Sequence, residues 1–179
     1  MRQSDDSSAR TGPSHDGAGR VGVPFEEVTA AAAHRLRASG SPGIAAASGW
    51  ACAWLEACAY PGIELLLEAL DTTPPGEREP VLELDVLGLD LNNISCVFLG
   101  PSIARIVEER GRLFLRNVRH GLYLLPFSVK AGIGIGCPVD PSFALGGERT
   151  KNPYEEKLSL ARQSGLDLPH ALWTRLTQA

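Results

Sequence analysis

Leu82-Glu83-Leu84-Asp85-Val86 places apolar side chains at every second position against carboxylates, the period of a strand with one solvated face. Everything before this stretch keeps a different period. Phe25, Val28, Ala32 and Leu36 fall at offsets of three, seven and eleven, which puts them on one face of a helix. The change from helical to alternating period between Leu70 and Leu82 decides the fold class. Segregated helices and strands make an α+β domain, with a helical N-terminal half packed on a strand-rich middle and two C-terminal helices.

Working back toward the N-terminus, Ile63, Leu66, Leu67 and Leu70 point inward from a helix whose Glu64 and Glu68 point out. The Tyr60-Pro61-Gly62 break separates it from a helix over residues 43–59 that is apolar almost all round, from Ile44 through Trp50, Cys52 and Trp54 to Leu55. Such a helix belongs in the centre of the packing, and its small residues admit a close neighbour, either within the chain or in a second subunit. Trp50 and Trp54 share one of its faces, as core or subunit contact. The first helix is bounded by Pro24, suited to an initial helical position, and by Gly40, with Glu26 and Glu27 near its start and Arg35 and Arg37 near its end. Residues 1–22 carry almost nothing apolar and are expected to be a disordered tail, which leaves 23–179 as a single domain.

Working forward, Asn92 and Asn93 suit a turn, Ile94 to Leu99 reads as a short central strand, and Gly100-Pro101-Ser102 starts a helix ending at Gly111. Arg112 to Val118 alternates again. Leu122 to Phe127 fits a buried strand or a helix, since a run this short does not discriminate. Gly132 to Gly147 is a glycine-rich loop. Asn152-Pro153-Tyr154-Glu155 then caps a helix to about Gln163, Gly165 closes it, and Asp167 or Leu168 opens the last helix, with Leu172, Trp173 and Leu176.

The chain has 44% hydrophobic and 21% charged residues and a formal net charge of -4, so it can bury a core without disulfides. Mild acidity and the lack of a basic stripe argue against nucleic-acid partners. No apolar run approaches the roughly 20 residues of a membrane span, and none near the N-terminus resembles a signal core, so a soluble protein without a membrane partner is expected. Cys52, Cys58, Cys96 and Cys137 show no CxxC pairing and read as reduced thiols in a cytoplasmic setting.

The candidates for chemistry are few. Gly132-Ile133-Gly134-Ile135-Gly136 invites comparison with dinucleotide loops, but the third glycine stands at the wrong offset and no acidic residue follows at the required distance. Cys137 lies between Gly136 and Pro138, where a helix start would stabilise a thiolate, and His120 or Asp140 would serve it as base or orienting group. Cys137, His120 and Asp140 are therefore the candidate catalytic residues. Arg112, Arg116, Arg119 and Arg149 would bind an anion if they converge. His34, His120 and His170 have no second ligand at metal-binding spacing, and no cofactor is indicated.

Five segments in order resemble an uncharacterised bacterial family, domain of unknown function 3726. They are the Ala-rich opening Phe25 to Gly40, Gly49-Trp50-Ala51-Cys52-Ala53-Trp54-Leu55, Cys96-Val97-Phe98-Leu99-Gly100-Pro101-Ser102, Val118-Arg119-His120-Gly121-Leu122-Tyr123-Leu124-Leu125-Pro126, and Leu168 to Leu176. The resemblance implies a short Gly- and Ser-rich segment after the last helix, which is not present before Ala179; if that segment holds functional residues, the chain is incomplete. It implies no activity. A looser likeness links Val23 to Leu70 with the N-terminal helices of malate and L-lactate dehydrogenases of the non-Rossmann type, whose Ser-His-Gly motif is absent here. The expected function is that of a non-catalytic or accessory domain that forms a homo-oligomer or binds a small-molecule ligand. The alternative is a small-metabolite enzyme built on Cys137 or the Arg119-His120 pair.

Overall fold

In a computed structural model, which describes residues 19–80, 82, 84–85, 88–110, 113–132 and 154–178, three helices fill the first half. They are α1 (Phe25–Ala38), α2 (Ala45–Ala57) and α3 (Gly62–Thr72). Phe25, Val28, Ala32 and Leu36 of α1 are all buried, as their spacing predicts. Pro24 takes the N-cap of α1 rather than its first turn. Helix α2 is central, with Ala51, Cys52, Ala53 and Leu55 fully buried. Its small residues serve a crossing within the chain. A Cβ placed on Gly49 would lie 2.8 Å from both Ala33 N and Thr29 O of α1, so the two backbones touch.

The strands are short. β1 (Arg20–Val23) pairs antiparallel with β5 (Leu166–Pro169), and β2 (Leu84–Asp85), β3 (Gly88–Asp90) and β4 (Leu115–Arg116) form a second sheet in that order. The fold is α+β. β2 and β3 run antiparallel, whereas β3 and β4 run parallel and are joined through α4 (Cys96–Arg110), a βαβ unit. Three expectations are corrected. Arg20, Val21 and Gly22 belong to β1 and not to a tail, because ladder hydrogen bonds to β5 repay their ordering. The final helix, α7 (His170–Thr177), starts three residues later than Asp167, since Leu166 and Leu168 are buried by strand alternation.

The third correction concerns Ile94 to Leu99. Cys96 to Leu99 form the first turn of α4, and Pro101 sits inside the helix instead of opening it. Proline lacks the amide that would bind the carbonyl of Val97, four residues back. The buried Ser48 hydroxyl of α2 donates to that oxygen at 2.7 Å and takes the amide's place. Ser48→Ala strands a buried carbonyl and is expected to cost about 1–2 kcal/mol in urea unfolding, with an unchanged m-value.

The open choice at Leu122 to Phe127 resolves as helical, a 3-10 turn Gly121–Tyr123 leading into α5 (Leu124–Ala131) that ends on a left-handed Gly132. Helix α6 (Glu155–Ser164) precedes β5, and its buried Leu158 and Ala161 join the core. The arrangement therefore keeps the two C-terminal helices, but its middle holds two helices beside three brief strands. Among the described residues no helix is long and apolar enough to cross a membrane.

Candidate functional site

The parallel pairing of β3 and β4 continues past both strands as an irregular ladder. Leu91 N–H donates to Arg116 O and Asn93 N–H to Asn117 O, both at 3.0 Å, and Cys96 N–H to Arg119 O at 2.9 Å. Two loops, Leu91 to Ser95 and Asn117 to His120, thus lie side by side at the carboxyl ends of the strands and at the start of α4. Asn92, Asn93, Asn117 and His120 all have positive φ, from 50° to 59°, and are four of the five non-glycine residues that do so among those described. Asparagine tolerates this region because its amide bonds locally.

Side chains tie the loops together. Asp90 accepts from Asn92 N–H at 2.9 Å, and Asn117 Nδ2 donates to its Oδ1 at 2.9 Å and its Oδ2 at 3.0 Å, with Arg116 3.9 Å away. The Asn92 amide, then the Asn117 amide, hold its carboxyl below the usual carboxylate range. Ser95 is the N-cap of α4, accepting from Val97 N–H at 3.1 Å, and its hydroxyl stands 2.7 Å from His120 Nδ1. On the other side of the ring, Nε2 is 3.2 Å from Glu68 Oε1 of α3, which Arg119 also meets at 3.3 Å.

The tautomer follows from the partners. An ionised Glu68 only accepts, so Nε2 carries the hydrogen and Nδ1 accepts a hydrogen bond from the Ser95 hydroxyl. Glu68 is held below its usual pKa by the His120 hydrogen bond first and Arg119 next. Burial pushes His120 down, with Glu68 opposing. With only 7% of its side chain exposed and both ring nitrogens engaged, His120 fastens α3 to the start of α4.

The chain matches no family model, no curated protein and no solved structure. The chemistry of the loops must therefore be judged from their residues. Of the three catalytic candidates, His120 stands here, and Cys137 and Asp140 lie outside the described residues. So do Arg112 and Arg149. Arg116 and Arg119 do not converge on a shared anion position, because each turns to its own carboxylate, Asp90 or Glu68. Cys52, Cys58 and Cys96 are buried, and burial raises Cys58 to about 11, so neither it nor the more deeply raised Cys52 is a ready nucleophile. His34 and His170 lie in α1 and at the start of α7, away from these loops. No group of three or more His, Cys, Asp or Glu among the described residues could hold a metal ion. Sequence reasoning missed Ser95, Glu68, Asp90 and Asn117. The one signal for Ser95, a serine just before an apolar helical run, was hidden because Ile94 to Leu99 reads equally well as a strand.

Proposed function

We propose that the protein is a non-catalytic or accessory domain that binds a small ligand at the carboxyl ends of β3 and β4. The observation that carries this reading is the concentration of left-handed non-glycine residues in the two facing loops. Such conformations persist where surrounding contacts over-determine them, and they cluster at ligand clamps. In open sheets, the carboxyl ends of parallel strands are also where ligands sit. The non-catalytic part is supported by His120, whose two nitrogens are spent on Ser95 and Glu68. Self-association has weaker support, because the apolar face of α2 that suggested it is covered by the chain's own helices. A bacterial, cytoplasmic protein related to domain of unknown function 3726 fits the same reading, with the buried free thiols of Cys52 and Cys58 in keeping with a reducing setting.

One observation favours the enzyme reading: Ser95, His120 and Glu68 form a hydroxyl–imidazole–carboxylate chain. Against it, Ser95 is fully buried and its oxygen caps a helix. An amide-detected NMR titration with a panel of small metabolites separates the readings. Ligand binding is expected to move the Asn92, Asn93, Asn117 and His120 resonances, with no fluorophosphonate labelling of Ser95. Shifts confined to other surfaces would sink the loop assignment, and stoichiometric labelling would establish the enzyme.

A further inference from the structure

Where α2 turns into α3, a carboxyl group sits without a cation partner among the described residues. Glu56, partly buried near the end of α2, accepts the Ile63 N–H of the first turn of α3 at 2.8 Å. It thereby caps a helix whose N-cap residue, Pro61, offers no side-chain bond. The corner around it is tight. A Cβ on Gly62 would lie 2.4 Å from Cys52 O, and the buried Tyr123 hydroxyl donates to Gly62 O at 2.9 Å. The titratable groups that face Glu56 are Cys52 on its own helix, Glu64 on α3 and Tyr123 on the 3-10 turn. None of them is a cation, and no described residue forms a salt bridge with Glu56.

We propose that the α2–α3 corner is a proton-operated latch, closed when Glu56 is neutral and loosened when it ionises. The carboxyl accepts the Ile63 amide in either state, but only the ionised state places in the corner a charge that no described residue pairs, where it repels Glu64. Ionisation releases the proton to solvent and leaves the negative charge to be relieved by water entering the first turn of α3. Two contacts hang on that turn. Gly62 O holds Tyr123, three residues beyond His120, and farther along α3 Glu68 holds His120 and Arg119. Loosening the turn therefore reaches the paired loops. Burial, with Glu64 adding, raises Glu56 to about 7 against the pull of the Ile63 and Gly62 amides, so the transition falls near neutrality.

The sign follows. A carboxyl whose folded pKa is raised binds more protons in the folded than in the open state, so closure is strongest below the ordinary carboxylate pKa and is lost as pH rises through about 7. His120, held low, has the opposite sign, with its contribution lost as pH falls below the ordinary imidazole value.

The test is amide hydrogen exchange from pH 5.5 to 8.5, corrected for intrinsic rates, on the full chain and on Glu56→Gln. Protection at Ile63 and Leu66 is expected to fall by about 30-fold across this range in the parent and to stay level in the variant. Level protection in the parent, or an equal fall in Glu56→Gln, overturns the latch. A carbon-13 titration of the parent's Glu56 carboxyl decides the matter even if the variant does not fold. A midpoint near 7 is expected, and a midpoint in the ordinary carboxylate range overturns the proposal. Neither measurement uses a ligand, so the latch and the loop site stand or fall separately.

Discussion

Arg78→Met is expected to destabilise the protein by about 3–5 kcal/mol, because three buried or partly buried carbonyls lose their donor at about 1–3 kcal/mol each. Arg78 is only 4% exposed, and no carboxylate among the described residues pairs with it. Its guanidinium instead collects the carbonyls left over where two helices end. Nε donates to Thr73 O at 2.8 Å and one terminal nitrogen to Leu70 O at 3.1 Å, both at the end of α3, and the other donates to Ser39 O just past α1. The plane also lies over the Phe98 ring, 5.1 Å from its centroid. These carbonyls are the negative ends of two helix dipoles, so the cation is matched by partial charges in place of a formal anion. Methionine keeps the stem's packing and strands the carbonyls. A domain of this size should lose roughly 10 °C in melting temperature. Arg78→Lys should recover less than half, because an ammonium cannot span three divergent acceptors. A loss under about 1 kcal/mol for Arg78→Met would show that water satisfies the carbonyls instead.

Gly49→Ala is expected to destabilise by about 1–2 kcal/mol although alanine is the better helix former. The added methyl would stand 2.8 Å from Ala33 N and Thr29 O and 3.0 Å from Ala33 Cβ. Two of these three are backbone atoms of α1, so relief requires the helices to separate and loosens every contact along the crossing. Overpacking of this kind costs about 1–3 kcal/mol and at times more, and helix propensity returns about 1 kcal/mol. Ala46→Gly, on the exposed side of the same helix, isolates the propensity contribution and should cost about 1 kcal/mol. Thermal melts of both variants check the pair. A Gly49→Ala protein as stable as its parent would mean that α1 and α2 part without penalty.

The three N-terminal helices were legible because each carries a full stripe of buried residues. Phe25, Val28, Ala32 and Leu36 cannot repeat at three and four in any other element. The middle was not, and Ile94 to Leu99 shows why. A six-residue stretch with five apolar residues satisfies a strand and a helix equally, and Pro101 pushed the reading toward a break. What overrode it lies 49 residues away in sequence, the Ser48 hydroxyl on Val97 O.

The site divides in the same manner. His120 was singled out as a reactive residue type in a turn, but its occupation by Ser95 and Glu68, 25 and 52 residues earlier, has no local signature. Composition and period alone determined an α+β chain with a central apolar helix, since burial of an apolar stripe is a property of each segment by itself. Only tertiary structure decided that the alternating middle would hold a βαβ unit, that Arg20 to Val23 would become a strand, and that His120 would fasten two helices. Each of these depends on satisfying backbone or ring hydrogen-bonding groups with partners distant in the chain, and periodicity carries no record of such partners.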